Sequence, residues 1–295
     1  MRKDTHAGSW YSDNEVELTE EIRECIGDLS EATLKRVKYI ISPHAGYAYC
    51  LKTAAYAYKI IDTSTIKTVF ILGPSHYLAL RGCGVDTFKA LNTPLGPLHV
   101  DTDIVESLRK KDGFASIRKY DSEKEHSMEM QFPLLKFILK RASTEGVKVV
   151  PIMVGPLDGD YLDMAGHALV PYFQRQDTVF IVSSDFCHFG HRFGFTHTGY
   201  EGDGIQLWEA IEKLDLAGVE HIVKHDLKGY KRYLRETENT ICGRYPIELL
   251  LKLIGLSEMC LDSEMLAYSQ SGKCMRLHES SVSYCSIAGY VTDKM

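Results

Sequence analysis

The stretch Thr68-Val69-Phe70-Ile71-Leu72-Gly73-Pro74-Ser75-His76 decides the fold. Four apolar residues run together from Val69 to Leu72. A short apolar run bounded by turn residues fits a strand buried on both faces, although periodicity alone also admits a helix segment. Gly73 and Pro74 are read as its end, since neither sits easily inside a central strand. His76 comes immediately after. An imidazole is thus delivered to the end of a buried strand, the edge at which open α/β sheets bind ligands.

Outward from this stretch the same construction recurs. Val37-Lys38-Tyr39-Ile40-Ile41 reads as a strand, followed by Ser42-Pro43-His44-Ala45-Gly46-Tyr47. Thr178-Val179-Phe180-Ile181-Val182 reads as another, followed by Ser183-Ser184-Asp185-Phe186-Cys187-His188. Each strand feeds a His into the loop after it, which predicts convergent polar groups above a sheet. Between the first two strands, Tyr47 to Ile61 is rich in Ala and Tyr and reads as a packed crossover helix. Strand, helix and strand make a βαβ unit, normally parallel and right-handed.

The remaining elements are read from local signals. Asn14 to Leu29 carries Leu18, Ile22 and Ile26 at helical spacing, with Gly27 weakening its end. Arg81 to Leu98 holds scattered Gly and Pro and reads as short strands or an irregular insertion. Asp101 caps a helix through Lys111. Pro133 either kinks a helix or marks its start, and His126 and Glu129 would share a helix face. Val147 to Val154 is a buried strand and Tyr161 to Phe173 a helix. Ile205 to Thr237 is helical, with breaks near Asp215 and Asp226. Pro246 is placed at a helix's first position, so Cys242 stands just ahead of a helix N-terminus, where the dipole favours a thiolate. The last strand falls within Val282 to Val291. With no linker, repeat or low-complexity segment, residues 1–295 are read as a single domain of α/β class, a mostly parallel central sheet flanked by helices in a three-layer sandwich.

Composition narrows the function classes. The 295 residues are 44% apolar and 25% charged, with a net charge of −6, ordinary for a globular protein. With no basic block, general nucleic-acid binding is not expected. No run is long enough to span a bilayer. The start of the chain lacks the apolar core of a secretory signal. Trp10 and Tyr11 predict that the N-terminal segment docks on the body. Eight cysteines include no C-x-x-C pair, so reduced thiols in a cytoplasmic protein are expected, and the nucleus is compatible with the same features.

His44, His76 and Cys242 form a candidate ligand set for a metal with open positions. Two neutral imidazoles and a thiolate suit copper, iron or zinc rather than magnesium or calcium. The residues lie on separate loops, so spacing does not test the set, and each also fits an ordinary hydrogen-bonded loop His or a buried thiol. Asp185 and His188 are candidates for a second role. Asp185 would accept a ring N–H and fix the tautomer, and His188 would serve as a general base. The alternative is a capping Asp and a surface His. His126 is a weaker catalytic candidate. A zinc hydrolase using His188 or Asp185 as base is a further reading of the same residues.

The blocks His6-Ala7-Gly8-Ser9-Trp10-Tyr11, Pro43-His44-Ala45-Gly46-Tyr47, Leu72-Gly73-Pro74-Ser75-His76, Glu125-His126-Ser127-Met128-Glu129, Ser183 to His188 and Thr240-Ile241-Cys242-Gly243-Arg244 resemble those of the Memo family, in the same order. The resemblance implies a fold similar to the class III extradiol dioxygenases, which hold iron with two His and one Glu. It places His44 and His76 at the imidazole positions and Cys242 at the carboxylate position, with His188 and Asp185 as further site residues. It also implies copper or iron as cofactor, a part in metal and redox balance and in cell-motility signalling, and phosphotyrosine peptides of signalling proteins as partners. A metal-dependent oxidoreductase is compatible with it. The softer, oxidisable thiolate argues against ring-cleaving dioxygenase activity, and a shared fold does not transfer a reaction.

Overall fold

The computed structural model describes residues 1–27, 36–144, 146–200, 202 and 204–292. Its strands, in chain order, are β1 (Val37–Ser42), β2 (Thr68–Pro74), β3 (Cys83–Val85), β4 (Ala90–Leu91), β5 (Leu98–Val100), β6 (Phe114–Ser116), β7 (Lys148–Val154), β8 (Thr178–Ser183), β9 (His188–Phe189), β10 (Leu261–Gln270) and β11 (Ser281–Val291). Its helices are α1 (Glu15–Ile26), α2 (Tyr47–Tyr58), α3 (Thr102–Leu108), α4 (Lys119–Lys124), α5 (Phe132–Arg141), α6 (Tyr161–Phe173), α7 (Leu207–Val223), α8 (Leu227–Thr237) and α9 (Arg244–Leu256).

The sheet runs β10-β11-β1-β8-β2-β7-β3-β6. Its centre, β1-β8-β2-β7, is parallel, as apolar strands covered on both faces require. β11 and β10 extend one side antiparallel, and β3 joins the other side antiparallel to β7. β1 and β2 run parallel, as the βαβ reading expects, with β8 lying between them. α1, α2 and α5 pack together, with α2 on β1, β10 and β11, while α6 and α9 pack on each other and on β8. Phe70 of β2 and Phe180 of β8 stack face to face, centroids 4.5 Å apart, inside an apolar core that takes in residues from Tyr11 to Tyr290.

Several boundaries differ from the sequence reading, each for a local reason. Asn14 caps α1 through Val16 N and Glu17 N, and Gly27 at φ 68° closes it; the expected extension to Leu29 lies outside the described residues. α3 stops at Leu108, short of Lys111. Pro133 stands in the first turn of α5 and marks a start rather than a kink. α7 runs unbroken through Asp215, which is fully buried, so the interruption falls only at Asp226, the cap of α8. α9 begins at Arg244, which puts Pro246 in its first turn but not at its first position. β10, with Asp262, Ser263 and Glu264 along it, was not expected. It is a partly exposed edge strand and lacks the apolar run that marks the buried ones.

Gly73 and Pro74 do not end β2. They continue it, in register with Met153 and Val154 of β7. Gly73 is needed there for a different reason. A Cβ would sit 2.6 Å from Ser127 Oγ and 2.7 Å from Met128 Cγ. The segment ahead of α5 thus lies directly on the end of β2.

Candidate metal centre

β1, β8 and β2 are adjacent and parallel, with Ile41, Val182 and Leu72 in one register. The loops after them therefore open at the same edge of the sheet. His44, Asp185 and His188, and His76 converge there without any sequence proximity.

His44 is buried at 2% exposure. Its Nδ1 lies 2.9 Å from Ser183 Oγ. Ser183 sends its own proton to Ser127 O at 2.6 Å and accepts from Gln131 Nε2 at 2.9 Å. With its hydrogen committed, this hydroxyl has only a lone pair for the imidazole, so Nδ1 carries the proton and Nε2 the free pair. Gln131 is fixed in turn, donating to Pro43 O at 2.9 Å and accepting from Tyr58 Oη at 2.8 Å. Burial, then the neighbouring His76, holds His44 well below the usual imidazole range, so the ring is neutral.

His76 is fixed by a carboxylate. Its Nδ1 lies 2.8 Å from Glu125 Oε1, and its backbone N–H donates to Oε2 at 2.6 Å. Ser127 N adds a bond to Oε1 at 2.9 Å. Burial alone would push Glu125 up, but the hydrogen bonds and charge of His76 outweigh it and the carboxyl titrates at about 2. An ionised carboxylate on Nδ1–H leaves Nε2 as the ligand atom and raises its basicity. His126 stacks on His76 with centroids 4.5 Å apart and an interplanar angle of 22°. Trp10 also packs on His126, with ring centroids 4.4 Å apart. Burial, then His44 and His76, pulls His126 down to about 3, so it is a neutral wall of the site.

Cys242 Sγ lies 3.1 Å from His44 Nε2 and accepts from Asp185 N at 3.2 Å. The turn reaches the strand ends because residue 243 is Gly: a Cβ there would meet Ser184 Cβ at 2.3 Å. The expected dipole-stabilised thiolate is overturned. Burial and the Asp185 carboxylate push the thiol well up, outweighing its place before α9. Asp185 is corrected too. Its Oδ1 accepts the backbone N–H of His44 at 2.8 Å and of Ala45 at 3.3 Å. The Nδ1 of His188 instead faces the carbonyls of Phe186 at 2.9 Å and Thr240 at 3.1 Å. Two acceptors fix Nδ1–H of His188, through backbone rather than carboxylate contacts.

His126 and Glu129 do not share a helix face. Glu129 lies in a short 3-10 turn before α5 and points to the N-terminal segment. It accepts from Arg2 Nη1 at 2.5 Å, His6 N at 2.8 Å and Tyr11 Oη at 3.0 Å. Arg2 is only 1% exposed and also donates to the carbonyls of Ser122 and Glu125, both at 2.8 Å. The docking expected from Trp10 and Tyr11 is thus anchored by Arg2, which sequence reasoning passed over. Glu125, Gln131 and Ser183 were missed as site residues as well. The crowding of Glu123, Glu125, His126 and Glu129 was a signal, but spacing alone did not say which of them faces the histidines.

One ligand atom from each of His44, His76 and Cys242 lies within 4.8 Å of the others. N and S ligands of a tetrahedral ion stand about 3.5 Å apart, given metal–ligand distances of roughly 2.0–2.3 Å. The donor set fits a metal on a second ground: each imidazole is held by a bond at Nδ1, which leaves Nε2 for coordination. The Cys242 thiol has His44 Nε2 at 3.1 Å and Asp185 O at 3.5 Å as acceptors for its proton, and metal binding to a thiol releases that proton. Asp185, His188 and Cys242 form a second cluster of the same compactness.

Fold and site together define an α/β protein in which parallel strand ends and one helix N-terminus bring together two His and one Cys as a candidate ligand set. The chain belongs to the Memo-like protein family, whose profile matches residues 2–288. A MEMO1 family protein of Schizosaccharomyces pombe is 38% identical over 304 residues, covering 97% of this chain and 98% of that protein. The Protein memo-1 homolog of Caenorhabditis elegans is 38% identical over 289 residues, covering 97% and 81%. Protein MEMO1 of Homo sapiens is 35% identical over 288 residues, covering 97% and 96%.

Proposed function

We propose that this chain binds one copper or iron ion through His44 Nε2, His76 Nε2 and Cys242 Sγ, and that it acts in metal and reactive-oxygen balance, with a link to cell-motility signalling. The observation that carries the reading is the convergence of three ligand atoms whose two imidazole tautomers are already fixed for coordination. Three protein ligands leave a position open. Bound there, a redox-active ion would supply one-electron chemistry, while the thiolate favours its softer, reduced state. His188, grouped with Asp185 and Cys242 beside the same ligands, would be the base that takes a proton from a ligand at the open position. Zinc is the alternative ion, with hydrolysis as its chemistry.

The test is metal content of anaerobically purified protein beside Cys242→Ala and His76→Ala. The expected result is a stoichiometric ion in the parent chain, lost in both variants with the fold intact. Retention of the ion in both variants overturns the site. No ion in the parent chain and none taken up on titration with Cu(I), Fe(II) or Zn(II) overturns the metal reading. The cleft would then be tested as a phosphotyrosine-peptide adaptor.

A further inference from the structure

The turn that carries Cys242 and the turn that carries Asp185 and His188 are joined along their length. His188 N donates to Thr240 Oγ1 at 2.7 Å, and that hydroxyl donates back to His188 O at 3.1 Å. Asp185 N donates to Cys242 Sγ at 3.2 Å, and Gly243 N to Ser184 Oγ at 3.1 Å. At the far end of this zipper stands Asp215, in the middle of α7 and fully buried. Its Oδ1 accepts Cys187 N at 3.1 Å from one turn and Asn239 Nδ2 at 2.9 Å from the other. Its Oδ2 accepts Tyr268 Oη at 2.9 Å from β10. Asn239 also donates to Tyr233 Oη at 2.6 Å, and Tyr233 donates to Leu214 O at 2.9 Å.

The donors Cys187 N, Asn239 Nδ2 and Tyr268 Oη, with Ser283 beside them, converge on Asp215, and an acceptor group satisfies them all. Nothing in α7's own helical structure needs a carboxylate there: the helix runs through the position without a break. The side chain is explained instead by what it joins. We propose that Asp215 is a positioning residue for the candidate metal centre, clipping the 185–188 turn to the 239–242 turn so that Cys242 Sγ is held against His44 Nε2. Without the clip, Asn239 and Cys187 N lose their common acceptor and the zipper opens from that end. Cys242 then loses its fixed distance to His44, although no residue near the ligands has changed. In its metal-binding consequence the inference rests on the function proposed above.

Asp215→Leu removes the acceptor, Asp215→Asn keeps one, and Asn239→Ala cuts the clip from the other side while leaving Asp215 its other donors. Asn is accommodated because Tyr268 Oη has a second acceptor, Ser283 Oγ, at 3.1 Å. The metal-independent readout is the rate of iodoacetamide alkylation at Cys242 in full-length, metal-free protein, resolved by peptide mass spectrometry, with fully buried Cys83 of β3 as reference. Expected is a rise of about tenfold or more at Cys242 in Asp215→Leu and Asn239→Ala, an unchanged Cys83, and a near-parent rate in Asp215→Asn. Cu(I) affinity, measured by competition with a chromogenic chelator, is expected to fall by about 10–100-fold in the first two variants and to be largely restored in Asn. A Cys242 rate within twofold of the parent in Asn239→Ala overturns the proposal, as does a parallel rise at Cys83, which would mean general loosening. If the parent chain binds no metal, the metal reading fails on that arm, while alkylation still decides the clip.

Discussion

Glu125 is the residue on which the candidate centre depends most without being a ligand. Its two oxygens hold the ring and the backbone of His76, the most exposed imidazole at the cleft. Glu125→Gln keeps an acceptor on Nδ1 but removes the charge that strengthens Nε2 as a donor. Metal affinity is expected to fall by about tenfold, with stoichiometry and fold unchanged, since outer hydrogen-bond partners of ligating histidines typically control 10–100-fold. Competition titration with a chelator of known affinity checks this. An unchanged affinity would mean that the stack on His126 alone orients His76. The same scale shows a limit of sequence reading. His44, His76, Cys242, Asp185 and His188 were all legible as candidates from their place after strands or before a helix. Which nitrogen each histidine presents was not, because that is set by Ser183, Glu125 and the carbonyls of Phe186 and Thr240, which come from elsewhere in the chain.

At the scale of elements, the segment from Glu125 to Gln131 does more than lead into α5. Glu125 holds His76, Ser127 O fixes the hydroxyl that fixes His44, Gln131 holds the same hydroxyl, and Glu129 anchors the N-terminal segment. One short run thus supports both imidazoles and the segment that carries Trp10. The Arg2–Glu129 pair is buried on both sides, with side-chain exposures of 1% and 0%. Removing one partner of such a pair costs about 3–5 kcal/mol because the other charge is left unanswered in the interior. Glu129→Ala is expected to lower unfolding stability by that amount in urea titrations. The double variant Arg2→Met with Glu129→Met is expected to recover much of it. Failure of the double variant to recover would place the loss in His6 and Tyr11, which also bond Glu129, rather than in the charge pair.

For the whole molecule, Asp215 links α7, β10 and both site turns, and its titration is felt in global stability. Burial raises its pKa to about 6 from 3.8, against the hydrogen bonds of Asn239, Ser283, Tyr268 and Cys187 N that lower it. The titratable side chains around it are Tyr233, Tyr268, Cys187 and Cys285, all pushed up by burial and hence neutral in that range. With the folded-state value above the unfolded one, the native state binds more protons between the two. The contribution is therefore complete below about 4 and is lost as pH rises through about 6. The loss is on the order of 2–3 kcal/mol. Chemical denaturation at a series of pH values from 4 to 7 is expected to show this slope in the parent chain and its absence in Asp215→Asn. Equal slopes in the two would place the titration elsewhere.

The sequence by itself determined the buried strands, the helix on either side of them, the docking of the N-terminal segment and the identity of the candidate ligands. These are written in apolar runs and in the His or Asp of the adjoining turns, signals that act over a few residues. Among the described residues no helix is long and apolar enough to cross a membrane, as the same local reading expected. What only the tertiary structure decided is the order in which the strands lie. β8 falls between β1 and β2, and that single fact brings the turn of Asp185 and His188 to the same sheet edge as His44 and His76. β10 and the continuation of β2 through Pro74 were likewise settled by pairing, since an edge strand and a strand end are defined by their neighbours. The inward face of Asp215, the burial of Arg2 and the tautomer of each imidazole depend on partners from distant parts of the chain. Hydrogen-bond satisfaction in the interior is a property of the assembled fold, and no local pattern encodes it.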